Sequence, residues 1–200
     1  MTEKAALSFS GGKDSCFALY KLQKKDVKIA SLVTTIWKKS GDTVAHDEKR
    51  EQIVQQADRL GLPVYFIETD FDTYTEDFVT AIKQLKAEYE IDAIAFGDIY
   101  LEGHREWGEQ VALSAGVKAM YPIWTKQEKM MALLHEVIDA GFKAKVIKVD
   151  GERLPTEWEG RLVNREFAEN ISAYDVCPMG ESGEYHTTVL DGPIFEGNRP

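Results

Sequence analysis

The 200-residue sequence contains only two cysteines, Cys16 and Cys177. That rules out a disulfide framework and any paired-cysteine metal site, and it points to a reducing compartment, with the cytoplasm as the expected location. Long apolar runs are missing as well. No stretch approaches the roughly 20 residues a membrane-spanning helix needs, so no membrane role is expected. Met1-Thr2-Glu3-Lys4 leads straight into an apolar strand and leaves no room for a signal peptide. Positive charge is in deficit, with 24 Lys and Arg against 34 Asp and Glu and a net charge of −10. Nucleic-acid affinity comes largely from neutralised phosphates, so this balance disfavours a nucleic-acid partner. The densest basic run, Lys21, Lys24, Lys25 and Lys28, lies near a predicted helix end, where it complements the helix dipole. Internal repeats and low-complexity linkers are also absent.

What is present is enough apolar content, 44%, for one domain or one domain with a small appendage. The chain is organised around Ser10-Gly11-Gly12-Lys13-Asp14-Ser15, which follows an apolar strand at 5–9 and precedes a helical pattern from about Asp14. Adjacent glycines let the backbone turn sharply and approach a ligand closely. The helix N-terminus behind them offers unpaired N–H groups and partial positive charge, which favour a phosphate. Ser10 and Ser15 add hydroxyls, and Lys13 adds a mobile cation. The P-loop pattern fails, because Leu7 stands five residues before Gly12 and Asp14 follows Lys13. The dinucleotide fingerprint fails as well, with Lys13 at its second glycine. The alternative to a phosphate site is a tight strand-to-helix turn without a ligand. S-G-G-K-D-S in this context resembles the PP-loop of ATP pyrophosphatases, which cleave ATP between the α- and β-phosphates.

Periodicity predicts strands at 29–35, 64–68, 93–96 and 117–121, alternating with helices. The helix after the second strand is capped by Asp47 and turns Ile53, Val54, Ala57 and Leu60 inward. Thr73-x-x-Glu76 forms a capping box for the next, and Glu106 opens the one that ends at Gly116. Such alternation gives an α/β fold with a parallel sheet wrapped on both faces. Ligands of these sheets sit beyond the carboxyl ends of the strands. That rule gathers Ser10 to Ser15, Thr34, Thr35, Asp70, Gly97 and Asp98 on one rim. Asp70 is read as a helix-entry turn residue. Asp98, beside Gly97 at the end of a buried strand, is read as a magnesium–phosphate ligand.

Thr125-x-x-Glu128 caps a further helix whose Met130 and Met131 are core filler. A sixth strand at 144–149 ends in Asp150-Gly151, a hairpin-type turn. Residues 152–174 are polar and irregular, with a short helix at 165–171. A small second domain is therefore expected over 125–200, after an ATP-binding domain over 1–124. Its unusual stretch is Gly180-Glu181-Ser182-Gly183-Glu184-Tyr185-His186-Thr187, two carboxylates in a glycine-bounded loop before a strand. These carboxylates could bind magnesium, hold an amine or act as a general base; the alternative is a solvated acidic turn.

Three segments, 10–15, 97–111 and 180–187 with the following Asp191-Gly192-Pro193-Ile194-Phe195, together resemble the diphthine–ammonia ligase family of PP-loop ATP pyrophosphatases. The resemblance implies a Rossmann-like fold, akin to adenine nucleotide alpha hydrolases, with a small C-terminal α+β domain. It implies that ATP and ammonia are consumed to amidate a carboxylate, diphthine on an elongation factor, through an acyl-adenylate. On that basis Ser10, Gly11, Gly12, Lys13, Asp14, Ser15, Thr34 and Gly97 bind ATP, and Mg²⁺ sits on Asp98. Lys13, Asp14, Glu181, Glu184 and His186 are the catalytic candidates. Arg105, Glu181 and Glu184 are the substrate-binding candidates. His186 could relay a proton or be structural; Arg105 could pair with acyl or phosphate oxygens or form a surface ion pair. Two departures stand out: Pro178-Met179 separates Cys177 from Gly180, and Tyr100 to Arg105 lacks the aromatic- and glutamine-containing pattern expected there. A sulfur transferase using Cys177 as a persulfide carrier, or a non-catalytic adenine-nucleotide sensor, are the rival functions. Homo-oligomerisation is left open.

Overall fold

The computed structural model describes residues 2–45 and 49–195. Five parallel strands, β1 (Lys4–Ser8), β2 (Lys28–Trp37), β3 (Val64–Thr69), β4 (Ala93–Ala95) and β5 (Lys118–Met120), form one sheet in the order β3-β2-β1-β4-β5. The crossovers are α1 (Lys13–Lys24), α2 (Arg50–Leu60), α3 (Tyr74–Tyr89) and α4 (Glu102–Ala115). β1 is central, and its alternation shows why. Ala5 and Leu7 pack with α1 and α2 on one face, whereas Ala6 packs with α3 and α4 on the other. The chain leaves β1 toward β3, then returns to place β4 on the opposite side. The order therefore reverses at the carboxyl ends of β1 and β4, where a ligand crevice opens. This is the expected Rossmann-like α/β sheet with helices on both faces.

The remaining elements, α5 (Met130–Asp139), β6 (Lys143–Val149), α6 (Arg165–Ile171) and β7 (Tyr185–Asp191), cover the face that carries α1 and α2. One buried cluster runs from Ala5 and Phe17 through Phe142 and Trp158 to Phe195, so both parts of the chain share a core.

Several local expectations are corrected. The cap at Asp47 lies outside the described residues; α2 starts at Arg50 behind Lys49, and Val54 faces outward. The two Thr-x-x-Glu capping boxes do not form. Thr73 Oγ1 is engaged with Asp70 and Asp77, and after Thr125 the chain makes a 3₁₀ turn at Gln127–Lys129 before α5 begins. Asp70 is a turn residue as read, its Oδ1 accepting from Thr73 N at 3.1 Å. Asp150-Gly151 does turn, but not into a hairpin. β6 pairs antiparallel with β7, with Val149 opposite Tyr185. The intervening segment is not merely polar, because it buries Leu154, Trp158, Val163 and Phe167. Helix α4 begins one turn earlier than Glu106, at Glu102, whose charge suits a helix N-terminus. That extra turn brings His104 to the crevice.

Candidate active site

The crevice is a cavity of about 590 Å³ between the loop after β1, the end of β4, the start of α4 and the tail loop that leads into β7. The first loop is built to be rigid. Gly11 sits at φ 76°, in left-handed backbone that strains any larger residue, and a Cβ there would lie 2.3 Å from Gln56 Oε1 and displace that side chain. Gln56 Nε2 donates to Gly11 O at 3.0 Å and to Val189 O at 2.8 Å. Val189 N also donates to Gly11 O, at 2.9 Å. Ser15 Oγ donates to Gly12 O at 3.1 Å and accepts from Ser10 N at 3.3 Å. Gly97 packs against the first turn of α1, where a Cβ would meet Ser15 N at 3.1 Å.

Lys13 is not mobile. Its side chain is 2% exposed, and Nζ donates to Asp14 Oδ2 at 3.0 Å and to Met179 O while lying 4.8 Å from the Tyr185 ring centroid. Its backbone N–H donates to Thr187 Oγ1 at 3.1 Å. The tail thus completes the phosphate loop.

Asp14, Asp98 and Glu181 line the same cavity. Burial raises the Asp14 carboxyl above its ordinary range, with Asp98 adding to the effect and Lys13 opposing it. Glu181 is pushed up to about 7, chiefly by burial and then by the Asp14 charge, while its bond from Ile99 N at 2.9 Å works the other way. His104 Nδ1 lies 3.1 Å from Asp98 Oδ1, and this contact raises the imidazole's pKa. Asp14 Oδ1 is withdrawn from solvent without a hydrogen-bond partner. That orphaned oxygen and the surrounding carboxylates fit a hard cation such as Mg²⁺.

Of the residues singled out from sequence, Ser10, Lys13, Asp14, Ser15, Gly97, Asp98, Glu181 and His186 are brought together here. Gly11 and Gly12 shape the loop without lining the cavity, and three others are placed elsewhere. Thr34 lies behind the loop, its Oγ1 donating to Phe9 O at 2.6 Å. Glu184, 3% exposed, accepts from Cys177 N at 3.0 Å and Ser182 N at 2.9 Å and pairs with Arg153 at 3.3 Å. Both of its oxygens brace the tail loop. Arg105 points away from the cavity, paired with Glu109 at 2.9 Å and 5.1 Å from the Trp124 ring centroid. Cys177 lines a separate cavity of about 320 Å³ with Tyr100 and Asp175. Cys16 is fully buried, and burial pushes its thiol far up, which makes it inert. Sequence reasoning missed His104 as a site residue, along with Gln56 and Thr187 as supports of the loop. For His104 the signal was a strand-end Gly-Asp followed by a histidine in the first turn of the next helix.

The two parts of the chain that meet at this cavity match two described domains. Residues 3–119 match the diphthamide synthase N-terminal domain, and residues 129–199 match the diphthamide synthase C-terminal domain. Proteins called diphthine–ammonia ligase align along most of the chain. That of Danio rerio is 29% identical over 94% of this chain and 82% of its own length. That of Schizosaccharomyces pombe is 30% identical over 94% of this chain but only 34% of its own length. The Homo sapiens protein is 26% identical over 96% of this chain and 80% of its own length. Both walls of the cavity therefore carry the same signature, and the chain belongs to the diphthamide synthase family.

Proposed function

We propose that the chain is an ATP-dependent ligase that joins ammonia to a carboxylate and releases AMP and pyrophosphate. The observation that carries this reading is the junction of Lys13 N with Thr187 Oγ1, which sets the phosphate loop and the tail carboxylate of Glu181 on one cavity. Residues 1–124 bind ATP and residues 125–200 present the acceptor. The β,γ-phosphates rest on residues 10–15, and Lys13, already fixed, stabilises the charge of departing pyrophosphate. Asp98 and Asp14 would hold a divalent cation such as Mg²⁺, which would supply charge neutralisation at the phosphates. An acceptor carboxylate oxygen attacks the α-phosphorus, breaking its bond to the bridging oxygen and giving an acyl-adenylate. Ammonia then attacks the acyl carbon, AMP leaves, and the proton shed by the nitrogen passes to His186 on the cavity wall.

The chain's own work is positioning and preorganised charge, which suffices for adenylation chemistry. The acceptor named by the relatives is diphthine, carried on a protein, and the proposed setting is the cytoplasm. A thiol-transfer route fits less well, because Cys177 lines the neighbouring cavity and not this one. The test is chromatography after incubation with ATP, ammonium and either a diphthine-bearing protein or a panel of small carboxylates. AMP with pyrophosphate and an amide is expected. ADP with phosphate as the main products would overturn the proposal.

A further inference from the structure

We infer that Asp98, His104 and Glu181 form a site for a first-row transition dication of the manganese-to-zinc series, and that this site prefers such an ion to magnesium. Each residue offers one ligand atom, and the three atoms lie within 4.8 Å of one another. They come from three separate places: the end of β4, the first turn of α4 and the tail loop. Only the folded chain assembles them. The carboxylate of Glu181 is oriented by Ile99 N–H at 2.9 Å, the kind of secondary hydrogen bond that aims a metal ligand. His104 Nδ1 and Asp98 Oδ1 are already 3.1 Å apart, close to the separation of neighbouring donors around one ion.

A second observation points to a cation independently. Asp14 Oδ1, on the same cavity, is shielded from water and has no partner. Three carboxylates, from Asp14, Asp98 and Glu181, line that cavity, and the single charge of the Lys13 ammonium, which also bonds Asp14 and Met179 O, is too little to offset them. A polyphosphate entering this cavity adds further negative charge, so a multivalent cation has to balance the set. The donor types decide which cation. Magnesium selects oxygen ligands and keeps its water, whereas an imidazole nitrogen beside two carboxylates suits manganese, cobalt or zinc. His104 is therefore the selecting residue. The inference extends the proposed nucleotide site, but it concerns the cation alone.

The test uses the full chain without nucleotide or acceptor, so its outcome is separate from that of the product assay. Metal-free protein is titrated with Co²⁺, followed by visible absorption and calorimetry, and then with Mn²⁺ and Mg²⁺. Affinity should rise in the order Mg²⁺, Mn²⁺, Co²⁺. His104→Ala, at a half-exposed position, should weaken Co²⁺ binding at least tenfold and leave Mg²⁺ binding unchanged. Glu181→Gln should weaken both. Circular dichroism of each variant establishes that it is folded. Equal Co²⁺ affinity in folded His104→Ala, no preference for Co²⁺ over Mg²⁺, or no Co²⁺ binding in the parent would each overturn the inference.

Discussion

The backbone N–H of Lys13 donates to the hydroxyl of Thr187 at 3.1 Å, across 174 positions of sequence. Gln56 adds a second link by donating to both Gly11 O and Val189 O. The phosphate loop is thus held by β1 before it, α1 after it, α2 beside it and β7 across it. A loop held on four sides needs little ordering when an anion arrives, which favours affinity.

Lys13→Ala should weaken ATP binding by about ten- to a hundredfold, the worth of one charge-assisted contact to phosphate. Calorimetry on the folded variant measures it. Unchanged affinity would remove the phosphates from this loop.

Gly97→Ala tests the contact between β4 and α1. The added methyl would sit 3.1 Å from Ser15 N and 3.2 Å from Asp14 C, both backbone atoms that cannot swing aside. A stability loss of about 1–3 kcal/mol is expected from the overpacking. ATP affinity should fall with it, because the displaced atoms belong to the loop. Urea unfolding and ATP titration of the same sample separate the two effects.

Glu184→Ala should destabilise the fold by on the order of 2–5 kcal/mol, since Cys177 N–H and Ser182 N–H each lose a buried acceptor. Glu184→Gln keeps one acceptor and should lose roughly half as much. The measurement is the shift in urea midpoint. A Glu184→Gln variant with an unshifted midpoint and no turnover would return this carboxylate to the chemistry.

Glu181 makes stability depend on pH in a defined direction. Its carboxyl has a folded value of about 7 against an ordinary 4.5, so the folded chain binds this proton more tightly than the unfolded chain. Between those values the folded state carries more protons, and stability falls as pH rises through the window, by on the order of 3 kcal/mol in total. Glu181→Gln removes the ionisation. In chelator it should be more stable than the parent at pH 8 and comparable to it near pH 4.5. An undiminished slope between pH 5 and 7 in the variant would assign the effect to another group.

What could be read from the sequence was what neighbours along the chain decide. The Gly-Gly loop between strand and helix, the α/β alternation and the left-handed stop at Gly116 all depend on residues a few positions apart. What could not be read depends on contacts from far away. Lys13 looked mobile because Met179 and Tyr185, which bury it, lie at the other end of the chain. The N–H groups that occupy Glu184 belong to the backbone, and side-chain patterns do not reveal them. With a helix expected from Glu106, His104 falls before it in the sequence, whereas the structure begins α4 at Glu102. Successive helix residues are about 100° apart, so once His104 faces the cavity, Arg105 must turn away.

The distance along the chain from Lys13 to Thr187 also has a consequence in time. A ribosome adding about 5–20 residues per second delivers Thr187 roughly 10–35 seconds after Lys13. During that interval the glycine turn exists without its far wall, and Lys13 is without the carbonyl and the ring that hold its ammonium. The loop acquires its contacts across β7 only when that strand arrives, so its final geometry is set late.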